Sequence, residues 1–208
     1  MVKKTREEAL LTRNAILDAA EIVFHEHGVG KASLAEIAAA AGVTRGAVYW
    51  HFTNKIDLFD AVVQRVFGLM EAKQDELQKT RQYDDPVDMI RELALYFIDR
   101  VANDPHYYRI IAISWHKSEY VGEIAEIRDK HQERGNHFLG VGVAAFRASK
   151  KLGFLSPHVD PHTAAIGMMA LVDGLIINWT LGRPAFSLTD VGVKIIDSYL
   201  SGLRVVKD

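Results

Sequence analysis

The chain has 208 residues, of which 49% are hydrophobic and 25% are charged, a balance that is typical of a folded globular protein and excludes a disordered one. It contains no cysteine, which excludes disulfide bonds and thiolate metal sites. The net charge of -2 excludes a large positive field as the means of attracting an acidic partner. Met1 to Leu10 is charged and has no apolar core, so we expect no secretory signal and a cytoplasmic location.

The first segment with a clear pattern is an apolar stripe at helical spacing between Ile16 and Phe24. It predicts a helix that ends at Gly28. A second, short helix follows, because Ser33 and Glu36 have the spacing of a capping box. In that motif the serine hydroxyl accepts a hydrogen bond from an amide of the first turn, and the glutamate accepts one from the serine amide.

A tight turn at Gly42 is predicted to separate this second helix from a third. Thr44 caps the third helix, which we expect to run from Arg45 to Phe52. Seven or eight residues cannot form a stable helix alone, so Val43, Val48 and Phe52 should pack inward while the remaining side chains face out. The two short helices and their turn therefore have the form of a helix-turn-helix.

The pattern stays helical through the rest of the chain. Further helix starts or breaks are predicted at Asn54, Pro86, Asp104, Asp160 and Ser187. The long pattern from Glu119 to Leu152 is expected to be interrupted near Gly140 and Gly142. The sequence thus predicts an all-α fold of about nine helices and no sheet. Residues 1–55 form a three-helix bundle with the helix-turn-helix, and residues 56–208 form a larger helical domain for ligand binding and dimerisation.

The side chains of the helix-turn-helix suit contact with duplex DNA. Arg45 is long enough to make two hydrogen bonds to a guanine edge, and Gly46 lets the backbone approach the groove. Tyr49 and Trp50 cannot both point into the core of so short a helix, so at least one is exposed. The predicted DNA-contacting residues are Ser33, Thr44, Arg45, Gly46, Tyr49, Trp50, His51 and Lys55. The alternative is a helical interaction or adaptor protein that binds no DNA.

Residues 12–59 resemble the N-terminal domain of the TetR family of repressors. The run from Ala41 to Phe52 is similar to the AcrR/TtgR branch, which represses multidrug efflux pumps, and so are Lys3-Lys4-Thr5 and residues 116–120. The resemblance implies an all-helical homodimer that binds double-stranded operator DNA. It also implies that a hydrophobic small-molecule effector releases the protein from DNA by moving the fourth helix.

The segment from Thr163 to Leu181 is apolar and near the length of a transmembrane helix, but it contains Asp173 and Asn178. A carboxylate is costly in lipid and no Lys/Arg cluster flanks the segment, so we predict a helix buried in protein and no membrane partner.

The carboxylate of Asp173 must be paired, hydrogen-bonded or close to a cavity. An internal partner and a polar anchor in a ligand pocket both stay open, and the resemblance favours the anchor. The predicted ligand-binding residues are Val66, Phe67, Met70, Leu93, Phe97, Ile111, Trp115, Met169, Asp173 and Ile177. Such an apolar and aromatic pocket with one acid would suit flat hydrophobic compounds, including cationic ones.

Gly167 and Gly174 fall on one face of this segment and would let another helix come close. Together with the apolar last helix they predict a four-helix interface across a two-fold axis, with packing inside one subunit as the alternative. The predicted interface residues are Gly167, Leu171, Gly174, Asn178, Ile195 and Tyr199. A dimer could place two copies of the third helix on half-sites about 34–36 Å apart.

The nine histidines lack the spacing of a metal site. His158 and His162 are separated by Pro161 at a helix start, and His131 and His137 do not share one helical face. The chain has no serine elbow, phosphate-binding loop or dinucleotide fingerprint. We therefore predict no metal, no cofactor and no catalytic residue, and a protein that is not an enzyme.

Overall fold

The structure, a computed structural model, describes residues 6–117, 125–182 and 186–205. Within these ranges it has nine α-helices and no strand apart from an isolated bridge between Leu155 and Arg204, which confirms the predicted all-α class. The helices are α1 (Arg6–His27), α2 (Leu34–Ala40), α3 (Arg45–His51), α4 (Lys55–Thr80), α5 (Val87–Asn103), α6 (Pro105–His116), α7 (Ala125–Lys151), α8 (Pro161–Leu181) and α9 (Leu188–Leu203). Lys3-Lys4-Thr5 and residues 118–120, which contributed to the family resemblance, lie outside the described residues.

Contacts between residues divide the chain into two units, neither of which is continuous in sequence. The first comprises Met1–Phe67 and Arg109–Asp129, and the second comprises Gly68–Tyr108 and Lys130–Asp208. Helices α4, α6 and α7 therefore each belong partly to one unit and partly to the other. The predicted functional division between residues 55 and 56 stays a prediction.

In the first unit, α1, α2 and α3 pack on one another, and their ends follow the predicted signals. Helix α1 ends at His27, and Gly28 then adopts a positive φ of 78°. The capping box is confirmed, because the Glu36 amide donates to Ser33 Oγ at 3.2 Å and the Ser33 amide donates to Glu36 Oε2 at 2.8 Å. These contacts define the start of α2.

The turn and the short helix after it also form as expected. Gly42 has a φ of 65°, a conformation that glycine adopts without strain. The Thr44 hydroxyl accepts a hydrogen bond from an amide of the first turn of α3. Val48 and Phe52 are buried as predicted and hold α3 against its neighbours, whereas Val43 is only half-buried. The helix ends at His51, one residue earlier than predicted, because Phe52 takes an extended backbone conformation.

In the second unit, α5, α8 and α9 pack together. Helix α7 runs without a break to Lys151, so the predicted interruption near Gly140 and Gly142 is wrong. A glycine inside a helix costs only about 1 kcal/mol, which tertiary packing outweighs. At Gly142, a Cβ atom would lie 3.4 Å from the Cβ of Ala165, so this glycine lets α7 and α8 come close.

Helix α8 begins as predicted, because Asp160 caps it and accepts from the Thr163 amide at 2.8 Å. Of the helices that the structure describes, α8 alone is long and apolar enough to span a membrane. About a third of its most apolar stretch, 33%, is buried inside the protein. The buried part of α8 packs against α5 and α9. The expected absence of a membrane partner stays a prediction. The remaining apolar surface is left open on the single chain.

Candidate nucleic-acid interface and effector site

The outer face of α3 presents one cation and two aromatic side chains. Arg45 is exposed, Tyr49 is 48% exposed and Trp50 is 73% exposed. The inward side of the helix is occupied by Val48, which is fully buried. The structure therefore confirms that the two adjacent aromatics do not both enter the core, and it leaves both available to a partner.

Arg45 and Tyr49 lie side by side, one helical turn apart. The Arg45 guanidinium donates to the Tyr49 hydroxyl at 3.0 Å, and its Cζ atom lies 5.4 Å from the centre of the tyrosine ring. This contact restricts the long arginine side chain before any ligand binds. Such a guanidinium can offer two parallel donors to a guanine edge, while an aromatic hydroxyl can donate to a phosphate.

Thr44 and Gly46 flank this pair at the start of α3. The Thr44 hydroxyl is engaged in capping, and both residues are exposed. A Cβ at Gly46 would meet no atom closer than the Thr44 hydroxyl, at 3.8 Å. Nothing inside the protein therefore requires glycine at this position, which agrees with the predicted need for space in front of the helix.

The Ser33 side chain is occupied by its capping box. Its hydroxyl donates to Glu36 Oε2 at 2.7 Å while it accepts from the Glu36 amide. The carboxylate of Glu36 accepts hydrogen bonds from the Ser33 hydroxyl and, with a smaller effect, from the Ser33 amide, and both lower the pKa of Glu36. A phosphate contact by Ser33 stays a prediction, and the structure gives this residue a local role at the start of α2.

Lys55 makes contacts that the sequence did not indicate. Its ammonium donates to the carbonyl oxygens of Gly30 and Ala32, at 2.8 Å and 3.0 Å, and so holds the loop between α1 and α2. An ammonium has three donors, so one is left for a phosphate. His51 lies with its ring against that of Trp50, with centroids 4.5 Å apart. The predicted phosphate contacts of both residues stay predictions.

The predicted effector residues are distributed over both units, and each is described within its own. The four buried residues are Val66, Met70, Leu93 and Ile111. The five half-buried residues are Phe67, Phe97, Met169, Asp173 and Ile177. Trp115 is exposed, at 49%. Their role as a common ligand site stays a prediction.

Asp173 is the charged member of this set. It is half-buried on α8, and burial raises the pKa of its carboxyl group to about 6. Within the described residues no donor or cation faces the carboxylate, so the alternative of an internal ion pair finds no support there. A desolvated acid without such a partner is suited to hold a donor or cation of a ligand.

The second unit contains an open groove that the sequence did not reveal. Its volume is about 690 Å³, which lies in the range of small-molecule pockets. It is lined by the end of α4, the link to α5 and one face of α7, including Gln78, Arg81, Tyr83, Met89, Asn136 and His137. None of the predicted ligand residues lines it. Because its walls come from separate elements, no local motif could have predicted it.

The predicted dimer residues fall into two groups. A Cβ atom at Gly167 would collide with the hydroxyl of Tyr199, which donates to the Ala164 carbonyl at 2.8 Å. The close approach that Gly167 allows is therefore packing between α8 and α9 of one chain, the alternative that the sequence left open. Around Gly174, in contrast, no atom lies within 4 Å of a Cβ position. Asn178 is exposed, and Leu171 and Ile195 are half-buried.

The histidines do not gather with acidic residues into a metal-binding group of three or more anywhere in the part of the chain that the structure describes. The expected absence of a metal or cofactor stays a prediction.

Comparison with known proteins places these features in a family. Residues 16–62 match the model of bacterial regulatory proteins of the tetR family, and residues 85–205 match the C-terminal region of MAATS-type transcriptional repressors. The chain is 37% identical over 209 residues to the HTH-type transcriptional regulator TtgR of Pseudomonas putida, covering 99% of this chain and 97% of TtgR.

Two solved structures share the fold over nearly the whole chain. NalD, the secondary repressor of the MexAB-OprM multidrug efflux pump in Pseudomonas aeruginosa, has a TM-score of 0.85 and 31% identity, covering 96% of this chain and 98% of NalD. SmeT is the repressor of the Stenotrophomonas maltophilia multidrug efflux pump SmeDEF. Its complex with triclosan has a TM-score of 0.83 and 33% identity, covering 95% of this chain and 93% of SmeT. The chain therefore belongs to the TetR family of bacterial regulatory proteins.

Proposed function

We propose that this protein represses a multidrug efflux operon by binding operator DNA through α3, and that a hydrophobic small molecule releases it. The observation that carries the proposal is the outward presentation of Arg45, Tyr49 and Trp50 on a short helix of a TetR-family chain. The role as an efflux repressor is supported by relatives that cover nearly the whole chain, because NalD and SmeT are both named as repressors of multidrug efflux pumps.

The effector is a flat, hydrophobic compound bound in the C-terminal part of the chain. The complex of SmeT with triclosan supports this class of ligand. The groove of about 690 Å³ offers one volume of suitable size. The desolvated carboxylate of Asp173 does not line that groove and offers a polar anchor at a second candidate position. Above pH 6 this carboxylate is ionised and would favour cationic members of the class.

The protein acts as a cytoplasmic homodimer. The open surface at Gly174 lies on the same helix as Ile166 and Leu181, which are 43% and 67% exposed. Exposed apolar side chains along one helix are typical of a contact with a second subunit. Two subunits related by a two-fold axis would place their α3 helices on half-sites about one turn of DNA apart.

Effector binding changes the separation of the two α3 helices through α4, which belongs to both units. The effector stabilises one of two arrangements, and the arrangement that it favours fits the operator less well. A coupling of this kind is typically about 1–3 kcal/mol, or about a 5-fold to 150-fold change in operator affinity.

The DNA-binding role is tested by fluorescence anisotropy with the promoter DNA next to the protein's own gene. Arg45→Ala should weaken binding by about tenfold or more and relax the base preference at one position of each half-site. Tyr49→Ala should weaken binding to all sequences alike. Lys79→Ala, which removes an exposed cation from the second unit, serves as the control and should bind like wild type. If both α3 variants also bind like wild type, α3 is not the recognition helix.

The effector role is tested by titrating triclosan and other flat hydrophobic compounds into the complex with operator DNA. We expect at least one of these compounds to release the DNA at a concentration that saturates the protein. Failure of every compound to release it would contradict the proposed regulation while leaving DNA binding in place.

A further inference from the structure

The open groove of the second unit has cationic and neutral polar groups on its walls but no acid. Its polar side chains are Gln78, Arg81, Asn136 and His137, all of which are exposed. Among the described residues that line the groove, none is aspartate or glutamate. The whole chain, in contrast, has more acidic than basic residues, 27 against 25. The groove is therefore a local surface that favours a negatively charged ligand.

Arg81 is the permanent cation of this groove and follows directly after α4. Its Nη1 atom donates to Glu92 Oε2 at 2.8 Å, which restricts the long side chain. A guanidinium has five N–H donors, so this contact leaves others for a second acceptor. The planar arrangement of these donors matches the oxygen atoms of a carboxylate or a similar anion.

The acid that contacts Arg81 belongs to a different groove. Glu92 lines a neighbouring polar groove together with Asp88 and Asp197, and these three acids are absent from the first groove. The same Oε2 atom of Glu92 also accepts from the Tyr83 hydroxyl at 2.8 Å. Burial, and then this hydrogen bond, raise the pKa of Tyr83, so the hydroxyl stays protonated and directed at Glu92 at neutral pH. Arg81 and Tyr83 thus separate an acidic groove from one without acids.

The rest of the acid-free groove is apolar and has room for a flat molecule. Small side chains on one face of α7 form one wall, and a Cβ atom at Gly140 would meet no atom within 4 Å. The start of α5 contributes Met89, whose flexible thioether adapts to aromatic rings. The other apolar residues that line the groove are Pro86, Val141, Ala144 and Ala145.

We infer that this groove binds flat aromatic anions, with the acidic group on Arg81 and the rings against Met89 and Val141. The inference rests on the proposed function in treating the C-terminal part as the ligand-binding part of the chain. It extends that function, because the carboxylate of Asp173 favours cationic compounds and does not line this groove. The protein would therefore accept effectors of opposite charge at two separate positions.

Two fluorescent dyes that differ in a single charged group test this inference. Anilinonaphthalene sulfonate is a flat aromatic anion, and phenylnaphthylamine is the same molecule without the sulfonate. Each dye is titrated into the full-length protein in the absence of DNA, and the rise in fluorescence gives its dissociation constant. We expect the wild-type protein to bind one sulfonate dye per chain, more tightly than the neutral dye.

Arg81→Gln tests the position of the anionic group. It should weaken binding of the sulfonate dye by about tenfold or more, because charge-assisted hydrogen bonds are lost, and change binding of the neutral dye by less than about twofold. Lys79→Gln is the matched control, since it removes a cation that is 74% exposed and does not line the groove. Equal weakening by the two variants would overturn the inference, because it would show a general effect of charge.

Ala144→Trp tests the position of the rings by filling the groove. It should weaken binding of both dyes by about tenfold or more. Gln132→Trp is the control, because Gln132 is exposed on the same helix and does not line the groove. Circular dichroism checks that every variant is folded. Unchanged binding of the sulfonate dye to Ala144→Trp, or no binding to the wild-type protein, would overturn the inference. Failure of the wild-type protein to bind operator DNA is a separate result, because it would remove the proposed function and leave the dye titrations as they are.

Discussion

At the scale of single residues, Asp173 is placed where a carboxylate is unfavourable. It lies half-buried on an apolar helix, and loss of hydration raises the pKa of its carboxyl group from 3.8 to about 6. Between these two pH values the folded protein binds more protons at this site than the unfolded chain does. The ionised form therefore lowers stability, fully above pH 6 and not at all well below pH 4.

Asp173→Asn should raise the free energy of unfolding at pH 7.5 by on the order of 2 kcal/mol, because the amide removes the buried charge. The gain should shrink as the pH falls through 6 and vanish near pH 4. Urea denaturation of both proteins across this range is the measurement. Asp129→Asn is the control, since that side chain is 73% exposed and its change should stay within about 0.5 kcal/mol. A gain that is the same at every pH would contradict burial of a charge as its cause.

At the scale of helices, the segment from α2 to α3 could be predicted in detail because its signals are local. The Ser33 capping box, the Gly42 turn and the Thr44 cap each act within three or four residues. Glycine suits the two positions of this segment for different structural reasons. Gly42 has a positive φ and open space around it, whereas Gly46 is helical and faces outward.

Gly42→Ala should therefore destabilise the protein by about 1 kcal/mol, because alanine is strained at this φ. Gly46→Ala should stabilise it by up to about 1 kcal/mol, because alanine favours the helix, and should still weaken operator binding. Thermal unfolding and anisotropy titrations of the two variants separate these effects. Unchanged operator affinity of Gly46→Ala would show that this position does not approach the DNA.

The remaining features depend on contacts between distant elements, which no local pattern reveals. The spacing of the glycines on α8 is visible in the sequence. This spacing does not distinguish a Gly167 that faces a second subunit from one that faces Tyr199 of its own chain, as the structure shows. The charge of Lys55 and its position in the first turn of the fourth helix suggested a phosphate contact, yet its ammonium binds carbonyl groups more than twenty residues away. The buried ion pair of Glu21 and Arg109 joins residues 88 positions apart.

At the scale of the whole molecule, the proposed repressor acts as two subunits, because in this proposal one α3 helix reads only half of a two-fold operator. The apolar surface of α8 around Gly174 is the proposed contact. Gly174→Glu should place a charge in that contact and convert the dimer to a monomer in sedimentation velocity runs. Gly135→Glu on α7 is the matched control, because no atom lies within 4 Å of a Cβ at either glycine. Dissociation by both variants, or by neither, would contradict the assignment of α8.

The most direct test of the account is the distance between the two α3 helices on DNA. Because the chain has no cysteine, Thr53→Cys places a single spin label just beyond the exposed end of each α3. Double electron–electron resonance on the operator complex should show one population of inter-label distances near the half-site separation of about 34–36 Å. An absence of dipolar coupling between labels in that complex would show that no second subunit is present, and would contradict the central claim.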